Sequence, residues 1–168
     1  MPKLYYFDLY GRAEVSRQAL TLSGTAFEDI RVSGDSWKEL KESGKCEFGS
    51  VPVLELDDGT RLAQSTSILR YINWTWGKDK LQQSDDALKL YNADSLVEYW
   101  VGDHAPKFQP IIFSHVFNPN ADAAERDAKF TEYLKLVPDA LAVMERRLPA
   151  DSKFLLGDKP SIYDIQLG

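Results

Sequence analysis

The apolar pattern changes period once along this chain, between residues 77 and 84, and that change limits the possible folds more than any other feature. Before it, short strand-like runs alternate with helical ones. Residues 3–7 (KLYYF) are β-prone, and Ala13, Val15, Ala19, Leu20 and Leu22 then mark a helix from Arg12 to Ser23 that Gly24 stops. FEDIRV, residues 27–32, alternates as a half-buried strand. Ser36 and Glu39 have the spacing of a capping box over a short helix that ends before Gly44. VPVLEL and RLAQ flank DDGT, whose Asp58–Gly59 step suits a tight hairpin turn with positive φ. Ser65 can then cap a helix through Ile68, Leu69, Tyr71 and Ile72 toward Gly77. Residues 1–77 therefore read β-α-β-α-β-β-α.

GKDKLQQS, residues 77–84, is polar and aperiodic, as a linker between two units would be. Everything beyond it is helical in pattern. Ser84, Asp85 and Asp86 favour a helix start, and Leu88, Leu90, Tyr91, Leu96, Val97, Trp100 and Val101 cover more than one face, which predicts burial on two sides. A second long pattern runs from about Ala121 to Leu148, with a kink expected at Pro138. SIYD, residues 161–164, has the form of a capping box with Asp in place of Glu or Gln, yet only four residues follow it. Such a helix is short for its signal, so the sequence is expected to stop inside a helix and to be a C-terminally incomplete piece of a longer protein. The expected division is an α/β unit over 1–77 and an all-α unit over 85–168.

The 168 residues, 43% of them apolar, suffice for one ordinary domain or two small ones. A net charge of −6 opposes a nucleic-acid or anionic-membrane surface and leaves small molecules and other proteins as partners. The lone Cys46 excludes an internal disulfide framework and any Cys-x-x-Cys site, which fits a reducing compartment, and the chain is expected to be cytoplasmic. No stretch approaches the roughly 18 apolar residues of a membrane span. His104 and His115 have no Cys or clustered acid at ligand spacing, so neither a metal nor a Cys/His nucleophile is expected.

Five stretches, YYFDLYGRAEVSR (5–17), DSWKELK (35–41), FGSVPVLEL (48–56), LAQSTSILRYI (62–72) and FLLGDKPSIYDI (154–165), together resemble a cytosolic glutathione transferase of the tyrosine type. RAEVSR and QS point to its sigma-like class. The resemblance implies a thioredoxin-like N-terminal domain that binds glutathione, an α-helical C-terminal domain that helps form a second, apolar substrate site, and a homodimer. It implies transfer of alkyl or aryl groups to glutathione, with no metal. The alternatives are a glutathione-dependent isomerase of the prostaglandin D synthase kind and a non-catalytic, ligand-binding or crystallin-like relative.

Such chemistry needs glutathione as thiolate, whereas an unperturbed thiol has a pKa of about 8.5 and is mostly protonated at neutral pH. A tyrosine hydroxyl donating to sulfur stabilises the anion without itself ionising. In the family that tyrosine directly precedes a phenylalanine at the end of the first strand, which matches Tyr6 in YYF. Tyr5 then points to the opposite face, since strand side chains alternate. Tyr10 and Phe7 either line the apolar site or pack. Arg12 either adds positive potential beside the thiolate or positions Tyr6, or else forms an ordinary surface pair with Glu14 or a neighbouring carboxylate.

The glutathione-binding residues implied by the resemblance are Tyr6, Trp37, Lys41, Ser50, Val51, Pro52, Gln64, Ser65 and Glu98. Val51, ahead of a Pro52 expected to be cis, would pair its backbone with the cysteinyl unit. Ser65 and the amides of its helix N-terminus would take the γ-glutamyl carboxylate, with Gln64 adding an amide. Trp37 and Lys41, four residues apart and so on one helix face, would reach the glycyl end. Ser50 stands where many relatives have glutamine, a departure that weakens its contact or routes it through the backbone. The acid that one subunit lends its neighbour matches either Glu98 or Asp103, with Glu98 favoured and Asp94 one turn before it.

Overall fold

The computed structural model describes residues 1–111, 118, 120 and 122–168, so His115 and Ala121 lie outside the described residues. The chain divides into two units, residues 1–83 with 159–166 and 168, and residues 84–158 with Leu167. The first is built on a four-stranded sheet of order β2-β1-β3-β4, in which β1 (Lys3–Phe7) runs parallel to β2 (Glu28–Val32) and antiparallel to β3 (Val53–Glu55), which pairs antiparallel with β4 (Arg61–Ala63). A single 3₁₀ turn (Gly11–Ala13) leads into α1 (Glu14–Ser23), and α2 (Gly34–Glu42) and α3 (Ser65–Ile72) complete the predicted order.

As the central partner of two strands, β1 is buried on both faces. Leu4 and Tyr6 pack on one side with Ala13, Leu20 and Leu54, while Tyr5 packs on the other with Val32, Leu40 and Val53. The alternation that separates Tyr5 from Tyr6 is thus observed. At the hairpin, Gly59 has φ 85° and Asp58 Oδ1 accepts from the Thr60 amide at 2.8 Å.

Two helix starts differ from the sequence reading. Helix α2 begins at Gly34 under Ser33, and the capping box joins Ser33 to Ser36, whose Oγ accepts from the Ser33 amide at 2.9 Å; Glu39 takes no part. A serine at the third helical position supplies the same back-bond as the usual Glu, which composition alone hides. In α3, Ser65 is the first helical residue and Gln64 occupies the capping position, with φ 71° and ψ 112°.

The unit boundaries also move. Residues 77–84 are no free linker, because Leu81 is buried in the first unit's core and the Asn73 and Gln83 amides pair reciprocally at 3.1 and 2.7 Å. Helix α7 (Ile162–Leu167), capped by a Ser161–Asp164 box, buries Ile162 and Ile165 in that same core, and Pro160 accepts from the Gln82 amide at 2.9 Å. The first unit therefore extends beyond 1–77 and includes part of what the sequence assigns to 85–168. Helical periodicity shows which face is buried, and not against which sheet.

In the second unit, α4 (Ala87–Glu98) starts under Asp86, which accepts from the Leu88 and Lys89 amides, and continues through a π-helical stretch (Tyr99–His104) into α5 (Ala105–Ile111). Helix α6 (Ala123–Glu145) runs through Pro138 as one helix. Burial along α4 follows one stripe of Ala93, Leu96 and Val97, whereas Leu88 and Tyr91 are 68% and 60% exposed. The expected burial on two sides is not found among the described residues.

His104 sits among rings, stacked on Trp100 at 4.7 Å and tilted against Tyr133 at 5.4 Å. It is 2% exposed, and its Nε2 has no hydrogen-bond partner among the described residues. Burial, aided by the Lys107 charge, pushes its pKa below the ordinary value of about 6.5. Since the folded state disfavours the imidazolium, the stabilisation is complete above about pH 6.5 and is lost as the pH falls toward the depressed folded value. Denaturant melts followed by circular dichroism are expected to show a midpoint that declines over this window, and His104→Phe is expected to flatten that decline.

Candidate active site

The register of β1 buries the Tyr6 ring and leaves its hydroxyl at the strand's end, where it accepts a hydrogen bond from the Arg12 amide at 3.0 Å. That amide belongs to the first helical turn, whose N–H groups have no intrahelical acceptor. With that amide as donor, the Tyr6 O–H has no acceptor within the bond and is available to donate elsewhere. Glycine at position 11 makes the approach possible. Its φ is +47°, and a Cβ there would lie 2.7 Å from the Tyr6 hydroxyl oxygen and 2.5 Å from Leu9 Cδ1.

Arg12, Ser50, Val51, Pro52, Gln64 and Ser65 line one narrow cleft of about 30 Å³. Six residues from three segments distant in sequence are thus brought together. The Val51–Pro52 bond is cis. Gln64 is the one non-glycine residue with positive φ among the described residues, and backbone outliers of this kind concentrate at functional sites because a local strain of about 1–3 kcal/mol survives only where the surroundings enforce it. Glu14 is engaged by Arg17 at 3.0 Å, so the surface pair considered for Arg12 is not formed with it.

Trp37 and Lys41 do not line that cleft. They share a face of α2 as their spacing requires, with Lys41 Nζ 6.0 Å from the Trp37 ring centre. Trp37 meets the Phe7 ring edge-on at 5.3 Å, and both pack on the same cluster as Val51. Tyr10 is 79% exposed, which removes packing within the chain as its role. Glu98 closes α4 and is exposed, as is Asp103. Cys46 is buried, and burial pushes its thiol pKa up, which favours the thiol over the thiolate.

On the other face of the sheet, the Tyr5 hydroxyl accepts from Lys45 Nζ at 3.2 Å, and Glu55 pairs with Lys45 and Arg61 at 3.1 and 3.2 Å. Burial alone would raise the Glu55 carboxyl, but its bonds to the two cations outweigh that and hold it low; the same bonds, Tyr5 first, raise Lys45. Tyr5 is therefore committed to structure.

Two residues beside Tyr6 escape a sequence reading. Gly11 looks like an ordinary turn glycine. Arg17 is only 7% exposed, and the available signal was its position four residues after Ala13 and three before Leu20, on the apolar face of α1.

Residues 2–73 match the family model of the glutathione S-transferase N-terminal domain. The chain is 44% identical to the probable glutathione S-transferase 9 of Caenorhabditis elegans over a 181-residue alignment, covering 98% of this chain and 85% of the relative. It is 26% identical to S-crystallin 3 of Enteroctopus dofleini, over 96% of this chain and 75% of that one. Among solved structures, the monomeric glutathione S-transferase Na-GST-3 of the hookworm Necator americanus superposes with a TM-score of 0.79 at 30% identity, over 99% of this chain and 77% of that one.

Replacing Gly11 by Ala would force either the Tyr6 hydroxyl or the Leu9 side chain to move and would hold an L-residue at positive φ. A loss of roughly 1–3 kcal/mol in unfolding free energy is expected, together with displacement of the phenol from the Arg12 amide in a crystal structure of the variant.

Proposed function

The chain belongs to the glutathione S-transferase family, and from that premise we propose that it activates the thiol of glutathione through Tyr6 for attack on electrophilic, hydrophobic substrates. The observation that carries this reading is the Arg12 N–H donated to the Tyr6 oxygen, which orients the phenol and leaves its O–H free to donate. A thiol of pKa about 8.5 is only some 3% ionised at pH 7. A hydrogen bond to a charged acceptor contributes about 1.5–3 kcal/mol, or one to two pH units of thiol acidity. The ionised fraction then becomes substantial at neutral pH.

In the reaction the thiol proton passes to solvent and the sulfur lone pair forms a bond to the electrophilic carbon. The carbon's bond to its leaving group breaks, and the leaving group departs with that electron pair. The Tyr6 proton is shared with sulfur while the anion persists and is kept by the phenol.

For binding, the cleft supports a role for the Val51 backbone toward the cysteinyl unit, and for Ser65, Gln64 and the first amides of α3 toward the γ-glutamyl carboxylate. The strained Gln64 backbone favours this reading, since it turns the chain into α3 at that point. Trp37 and Lys41 would serve the glycyl carboxylate, with Ser50 beside the cleft. Homodimerisation, with Glu98 lent to the partner, belongs to the same proposal. Sedimentation at twice the chain mass supports it, and a single-chain mass overturns it.

The similarity to an S-crystallin keeps a non-catalytic reading in view. Conjugation of glutathione to a generic aromatic electrophile separates the two. The wild type is expected to turn over, and Tyr6→Phe to lose at least about tenfold in kcat/KM near neutral pH, with the gap closing as the pH rises past the thiol's own pKa. Equal rates for both proteins would sink the tyrosine mechanism, while tight glutathione binding without turnover would favour the non-catalytic relative.

A further inference from the structure

We propose that Arg17 is a positioning residue for Tyr6, which clamps the turn of residues 8–11 and the face of the phenol ring so that the hydroxyl meets the Arg12 amide. The inference rests on the role proposed above for Tyr6. The Arg17 guanidinium carbon lies 5.7 Å from the Tyr6 ring centre, within the range of a cation–π contact. Its Nη1 donates to the carbonyls of Leu9 and Tyr10 at 3.2 and 3.1 Å, holding the two residues that precede Gly11.

The guanidinium is itself fixed from two sides. Nε donates to Asp29 Oδ2 at 3.0 Å, and Nη1 reaches Glu14 Oε2 at 3.0 Å. Arg31 braces the same points, since it also donates to Asp29 Oδ2, at 2.8 Å, and to the Leu9 carbonyl, at 3.2 Å. The turn that delivers the Arg12 amide is therefore held by guanidinium groups from the α1 and β2 sides.

Stability alone is a poor reason for this arrangement. Arg17 Nη2 and Asp29 Oδ1 are both buried without hydrogen-bond partners among the described residues, and buried charge that is only partly satisfied is commonly replaced by apolar residues at no loss of stability. What an apolar residue cannot do is bond two successive carbonyls and one ring from a single planar group. Lysine, a point charge on a flexible stem, cannot do so either.

The test is titration of glutathione bound to the whole protein, read by the ultraviolet absorbance of its thiolate, together with the pH profile of kcat/KM for conjugation. Arg17→Met and Arg17→Lys are expected to raise the bound thiol's pKa by about one pH unit, a tenfold loss of thiolate to thiol ratio, with KM for glutathione unchanged and activity recovering at alkaline pH. Asp29→Asn leaves Arg17 in place but loosens its anchor, and it is expected to shift the thiol in the same direction by less. In the Tyr6→Phe background none of these changes should shift the thiol further.

A wild-type titration in Arg17→Lys and Asp29→Asn, or an equal shift with and without Tyr6, would overturn the positioning role. A Tyr6→Phe protein whose bound thiol titrates like the wild type would instead overturn the tyrosine mechanism on which the inference stands.

Discussion

The site depends on one strand having to satisfy two cores. Because β1 is paired on both edges and buried on both faces, the side chains of Leu4, Tyr5 and Tyr6 are all committed to packing, and none can be moved to suit chemistry. Burying an aromatic ring contributes on the order of 2–3 kcal/mol, more than the roughly 0.5–1.5 kcal/mol of an uncharged hydrogen bond such as the one from the Arg12 amide. The ring position is thus set by packing, and the chemistry uses what is left over at the strand's end. A neutral phenol suits such a place. Its ring belongs in a core and its hydroxyl still acts at the edge, whereas a lysine or arginine there would have to be desolvated.

That division explains why the polar partners of Tyr6 come from the backbone. The Arg12 amide is available because a helix begins there, and the helix begins there because Gly11 turns the chain at positive φ in a space that no Cβ could enter. A main-chain donor survives any change of side chain at position 12 except to proline. The Arg12 side chain lines the cleft while its amide donates to the tyrosine, so one residue contributes to both. In a protein of net charge −6, positive potential for an anionic peptide has to be local, and helix N-termini supply it without adding a titratable group.

What could be read from the sequence follows from the same separation. Periodicity and turn chemistry, which are local, predict the β-α-β-α-β-β-α order, the Asp58–Gly59 hairpin and the opposite faces of Tyr5 and Tyr6. The cleft is legible in part, because Val51, Pro52, Gln64 and Ser65 fall in stretches that resemble a known family. Properties that depend on distant partners are not legible. Arg17 needs Asp29, Leu9 and Tyr10 to become a clamp, and its lone charge on an apolar face was the only trace of it. Leu81 and Ile165 read as linker and helix end, and both are core of the first unit. The capping of α2 by Ser33 was hidden for a different reason, since Ser36 fits equally well as a cap or as the residue that completes one.

The distribution of strain and cost within the first unit separates binding from activation. Gln64 holds a left-handed backbone where the chain enters α3, and Gly11 holds one where it enters α1, so each helix N-terminus that faces the cleft follows an enforced turn. The two turns are stabilised differently. The α3 turn follows directly on the paired β3–β4 hairpin, a local neighbour. The α1 turn lies in a longer connection from β1 and is held instead by Arg17 and Arg31, anchored on Asp29 of β2. On the proposed function, substitutions around α3 act on affinity for the peptide and substitutions in the guanidinium clamp on the acidity of its thiol, because the first turn would offer its amides to a carboxylate whereas the second gives one amide to a phenol.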